Sequence, residues 1–112
     1  MPAQAGIQAE SWADSASVTA WIYIMTNAPF GTLYIGVTSD LARRVHQHRT
    51  GRGSAFCKRY GLTRLVYCEQ YERIDDAIAR EKAMKAWQRQ WKTRLIEQAN
   101  PAWDDLWAQI NA

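Results

Sequence analysis

The stretch from Trp21 to Gly36, "WIYIMTNAPFGTLYIG", decides the fold. Ile22 and Ile24 alternate with Trp21, Tyr23 and Met25, and Leu33, Ile35 and Val37 alternate with Tyr34, as side chains do along strands. The intervening "TNAPFG" supplies the Asn, Pro and Gly of a hairpin turn. The pattern gives two antiparallel strands with aliphatic residues on one face and both tyrosines on the opposite, polar face. Pairing around "NAPF" sets Tyr23 opposite or nearly opposite Tyr34, so the two hydroxyls can converge.

After the hairpin, "TSDLARRVHQHRTG" opens with Ser39 or Thr38 as a helix N-cap, carries Asp40 in the first turn and closes at Gly51. At helical spacing Leu41, Arg44, Val45 and His48 share one face. The basic loop "TGRGSAFCKRYG" leads to a third strand, "RLVYCEQY", with Leu65 and Tyr67 on one face and Val66 and Cys68 on the other. The longest helical pattern begins at "IDDAIAREKAMKAW", where Ile74, Ala77, Ile78 and Met84 form an apolar stripe that includes Glu81. Gln88 to Gln90 mark a break into a second helix, and "NPAWDDLW" forms a short terminal element packing Trp103 and Leu106. The helical spacing of Trp87, Trp91, Trp103 and Trp107 assigns them to the core. These elements predict an α+β domain over residues 20–112: a small three-stranded antiparallel or mixed sheet flanked by helices, in the order β-β-α-β-α-α. Residues 1–19, rich in Ala, Ser and Gln, read as a tail or leader.

The 112 residues suit one domain, and the net charge of +3 is less informative than its distribution. No Lys or Arg precedes Arg43, whereas Arg43, Arg44, Arg49, Arg52, Lys58, Arg59 and Arg64 fall in a stretch free of Asp and Glu. Clustered cations suit a polyanion such as nucleic acid. Phe56 and Tyr60, set among Arg52, Lys58 and Arg59, suit stacking on unpaired bases. Cys57 and Cys68 lack the CxxC spacing of a zinc or redox site and read as reduced thiols. With neither a signal-peptide pattern nor an apolar run of about 18 residues, the chain reads as cytoplasmic, with no membrane and no obligate protein partner.

Tyr23, Tyr34, Arg44, His48 and Glu81 break the binary pattern. Two phenols, a guanidinium, an imidazole and a carboxylate can hydrolyse a phosphodiester. Arg44 can hold the scissile phosphate, Glu81 one hard divalent cation that keeps most of its waters, and a phenol or imidazole the proton of the attacking water. A phenol titrating near ~10 must lose its proton to a neighbour, or have it disfavoured by Arg44 and the metal. The bland alternative for Glu81 is an i,i+4 pair with Lys85 worth ~0.5 kcal/mol or less. His46 and His48, two apart on a helix, point apart and make no metal pair.

"WIY", the eleven-residue tyrosine spacing and "YIG" resemble the GIY-YIG nuclease superfamily, and "YIGVTSDLARRVHQH" is similar to its most characteristic segment. The resemblance covers about residues 20–107 and is closest to small stand-alone bacterial members, related to the N-terminal domain of the excinuclease C subunit. It implies that Tyr23, Tyr34, Arg44 and His48 are catalytic, that Glu81 holds one Mg²⁺ or Mn²⁺, and that Gly36 and Asn100 support them. Asn100 can equally be a cap or turn residue. Trp21 stands where the first triplet of the family carries glycine.

The implied activity is a metal-dependent DNA endonuclease in repair, recombination or processing of incoming DNA. Arg43, Arg49, Arg52, Phe56, Lys58, Arg59 and Tyr60 are the expected nucleic-acid contacts. Single-stranded, branched or otherwise unpaired DNA is the expected partner, because one small basic loop offers little for reading a duplex groove. The alternatives are a module that grips nucleic acid without cutting it and a protein-interaction domain built on the Trp-rich helices.

Overall fold

The computed structural model describes residues 19–111, so all but the last residue of the expected tail or leader over residues 1–19 lies outside the described residues. Chain order is β1 (Ala20–Thr26), β2 (Leu33–Thr38), α1 (Leu41–Arg49), α2 (Ala55–Tyr60), β3 (Arg64–Tyr71), α3 (Ile74–Ala86), α4 (Arg89–Ala99) and α5 (Trp107–Ile110). The strands form one antiparallel sheet in the order β2-β1-β3, the α+β architecture expected. The basic loop differs from expectation by containing α2. Ser54 caps that helix by accepting the Cys57 N–H at 3.1 Å, and Gly61 ends it in the left-handed conformation.

Every residue of the central strand β1 is buried. Its Ala20, Ile22 and Ile24 join Ile35, Val66, Ala77, Met84, Ile96 and Trp103 in one core. Its Trp21, Tyr23 and Met25 join Leu41, Val45, Cys57, Leu62, Leu65 and Cys68 in another. The tyrosine-bearing face is therefore not the polar surface that alternation suggested. Leu41 and Val45 of α1 and Cys57 of α2 cover it, and a central strand with helices on both sides has no solvent face.

Three local expectations are corrected. Asp40, rather than Ser39 or Thr38, caps α1 by accepting the Arg43 N–H, while Thr38 Oγ1 accepts the Asp40 N–H at 3.0 Å. In β3 the pairs Ile24 with Tyr67 and Met25 with Leu65 enclose a bulge at Val66, so Leu65 and Tyr67 lie on opposite faces. Of the four tryptophans assigned to the core, Trp103 is buried and Trp87 and Trp107 are half-buried, but Trp91 is 47% exposed. The helical break falls at Trp87 and Gln88, so of the expected Gln88–Gln90 break only Gln88 lies outside a helix. Arg89 there donates to the Phe30 and Gly31 carbonyls at 2.7 and 2.6 Å, tying α4 to the hairpin turn.

No helix among the described residues is long and apolar enough to cross a membrane. Cys57 and Cys68 form no disulfide.

Candidate active site

The site is built at the edge strand β2. Tyr23 pairs with Gly36, and Tyr34 with Met25, so the two tyrosines are diagonal neighbours rather than opposite partners. They still share a face, with ring centroids 6.3 Å apart. A Cβ on Gly36 would lie 2.5 Å from the Tyr23 Cζ and Oη atoms. The glycine of "YIG" therefore gives the phenol of the central strand room to cross the edge strand.

His48 projects from α1 to the same place. Its Nε2 is 2.9 Å from Tyr23 Oη, and its ring lies 5.5 Å from Tyr23 and 5.4 Å from Tyr34, centroid to centroid. Tyr23 and His48 are each about 1% exposed, whereas Tyr34 is half-buried. Burial, reinforced by the Arg44 charge, lowers the His48 pKa to about 4. Burial is also the largest influence on Tyr23 and raises its pKa well above the usual phenol value. Tyr34, Cys57 and Glu81 add to that rise, and Arg44 opposes it. Arg44 thus does not make Tyr23 a resting phenolate: at neutral pH the pair is a neutral phenol hydrogen-bonded to a neutral imidazole. His48 Nδ1 has no hydrogen-bond partner, and a side chain on Gly53 would overlap the imidazole ring.

Two charges reach this pair. Arg44 on α1 is half-buried and lines a polar recess with Arg43, Thr38, Ser39, Asp40 and Gln47. Glu81 comes from α3, and its side chain is only 15% exposed. The i,i+4 pair with Lys85 forms, with Lys85 Nζ 3.0 Å from Glu81 Oε2. No group of three or more His, Cys, Asp or Glu side chains able to hold a metal occurs among the described residues. A single partly shielded carboxylate suits a Mg²⁺-type ion, which keeps several waters and takes further oxygens from substrate phosphates. It does not suit a structural zinc.

The nucleic-acid candidates divide. Phe56 and Tyr60 are 44% and 45% exposed on α2, with their rings 4.9 Å apart. Phe56 also stacks at 6.2 Å on Tyr34, joining this aromatic pair to the tyrosine site. Lys58 and Arg59 are exposed on the same helix, and exposed Arg52 bonds Thr50 Oγ1 at 3.3 Å. Arg49 is engaged elsewhere: it bonds Asp105 at 2.7 Å and the Thr63 carbonyl, with its guanidinium over Trp107. Asn100 is also apart, bonding the Val66 and Asp104 carbonyls and the Asp104 N–H, which makes it a turn residue tying α4 to β3. Sequence reasoning missed Gly53, although the Gly-punctuated "TGRGS" directly after a histidine-bearing helix hints at close backbone approach. It also missed Lys92 of α4, which lines a groove together with Tyr34 and Phe56.

Residues 19–94 match the model of the GIY-YIG catalytic domain. UPF0213 proteins of Staphylococcus aureus strains Mu3, Mu50 and N315 are each 40% identical over 68 residues, covering 61% of this chain and 83% of the relative. No solved structure matches the chain.

Proposed function

The chain belongs to the GIY-YIG catalytic domain family, a family of endonuclease domains, and on that premise we propose a metal-dependent DNA endonuclease that favours unpaired strands. One observation carries the assignment of roles. A hydrogen-bonded Tyr23–His48 pair lies beside Tyr34, and the charges of Arg44 and Glu81 both act on its phenol.

Neutral His48 is the proton acceptor. Tyr23 Oη takes a proton from the attacking water as it passes its own to His48 Nε2, which requires the imidazole tautomer protonated at Nδ1. The water oxygen bonds phosphorus in line, the P–O3′ bond breaks, the leaving O3′ takes a proton from solvent water, and the products carry 5′-phosphate and 3′-hydroxyl ends. Arg44 binds the non-bridging oxygens and stabilises their growing charge. Glu81 is the protein ligand of one Mg²⁺ or Mn²⁺, which when bound supplies electrostatic stabilisation to the leaving oxygen. Exposed Phe56 and Tyr60, with Lys58 and Arg59, support the preference for unstacked strands. Such an activity fits cytoplasmic DNA repair, recombination or processing of incoming DNA.

The test is cleavage of labelled single-stranded, duplex and branched DNA with Mg²⁺, with Mn²⁺ and with chelator, at equal ionic strength. Metal-dependent cutting, fastest on unpaired DNA, is expected. Binding without cutting would favour the non-cleaving module, and equal or faster cutting of duplex would overturn the strand preference.

A further inference from the structure

A groove of about 370 Å³ wraps the edge of β2, walled by Leu33, Tyr34, Ile35, Phe56, Lys85 and Lys92. Its lining is of two chemical kinds. Tyr34 and Phe56 offer aromatic surface, their rings 6.2 Å apart and inclined by 29°. Lys85 of α3 and Lys92 of α4 also line it, and Lys92 Nζ donates to the Lys85 backbone carbonyl at 3.4 Å. Glu81 pairs with Lys85, whereas Lys92 meets a neutral carbonyl. Like charges gathered beside an apolar floor suit an anion attached to a flat hydrophobic group. The groove also adjoins the candidate active site at both walls, since Tyr34 contacts the His48 ring and Lys85 contacts Glu81.

We propose that this groove is a subsite for one nucleotide of an unpaired strand next to the scissile phosphate. The base lies against Tyr34, Phe56 and the aliphatic floor, and Lys85 and Lys92 bind its phosphates. The proposal rests on the endonuclease reading and extends the DNA path to α3 and α4, beyond the basic segment ending at Arg64. Aromatic stacking with clustered cations is the chemistry that single strands select.

The test measures binding of a fluorescein-labelled oligothymidylate of about a dozen nucleotides by anisotropy across a salt series, in chelator so that no cutting occurs. Each single-strand phosphate contact contributes about 0.7 to the slope of log K against log salt. Lys92→Ala and Lys85→Ala are each expected to lower that slope by about 0.7 and to weaken binding at low salt. Arg94→Ala, which removes one cation from the separate Trp87–Trp91 groove, leaves the slope unchanged. An abasic strand of the same length binds wild type at least about fivefold more weakly, the smallest effect of losing one stacked base. Wild-type binding and cleavage with unaltered slopes in both lysine variants, or an equal loss in Arg94→Ala, overturns the groove alone. Failure of wild type to bind or cut any strand overturns the endonuclease reading together with it.

Discussion

Glu69 and His48 are both about 1% exposed on the two faces of one small sheet, and their surroundings differ sharply. Glu69, on the α3 side, accepts hydrogen bonds from the Tyr67 hydroxyl, from the Tyr71 hydroxyl at 2.9 Å, and from Arg80 Nε and Nη2 at 3.2 and 3.0 Å. Arg80 also covers the Trp87 ring. Burial, with the bond to Glu69 next in importance, lifts the Tyr71 pKa to about 12. His48, on the α1 side, has one hydrogen bond and an unpartnered Nδ1. A buried polar group with its bonding capacity filled fixes α3 to β3. One with capacity left over, beside a groove, is available for chemistry.

The comparison breaks first at Glu69. Glu69→Ala leaves Arg80 and two phenols without their acceptor, and should cost roughly 3–5 kcal/mol in urea unfolding. A loss below about 1 kcal/mol would mean that the network is not a structural tie. Arg44→Ala should lower the cleavage rate at saturating DNA by about 10²–10³-fold, the usual effect of removing one transition-state donor. A larger rate loss in Arg43→Ala would transfer that role to the neighbouring arginine.

The His48 site carries a pH signature. The unfolded chain takes up this proton near pH 6.5, the folded site only near about 4. Stability is therefore full above pH 6.5, falls through that window by about 3 kcal/mol, and levels off below it. His48→Gln should flatten this part of the urea-midpoint profile, and an unchanged slope would place the titration elsewhere. Arg43→Ala should give the smallest effect, a few-fold weaker binding at low salt with the saturated rate intact.

Much of this was legible in the sequence, because strand alternation and helical spacing are local. Ile22, Ile24 and Ile35 meet in one core, and Leu41, Val45 and His48 share a buried face of α1, as their periods require. Long-range features were not legible. Register sets Tyr23 against Gly36, and the bulge at Val66 returns Tyr67 to the aliphatic face, where Glu69 also lies. Neither leaves a periodic trace. α2 leaves no helical signature in the sequence, because its six residues are too few to show a period and only Cys57 is buried. The basic segment covers residues 43–64, while Lys85 and Lys92 line one groove with Tyr34 and Phe56 only through the tertiary placement of α3 and α4.

Glu81→Gln tests the central claim most directly, because it removes the charge and keeps the size of the one carboxylate assigned to the metal. Cleavage of single-stranded DNA with Mg²⁺ or Mn²⁺ and binding of the same strand in chelator should be measured side by side. The account predicts that cutting falls by about 10²–10³-fold, the several kcal/mol that a bound cation supplies, while affinity is equal or slightly higher as repulsion of the phosphates is relieved. Undiminished metal-supported cutting by Glu81→Gln would contradict it.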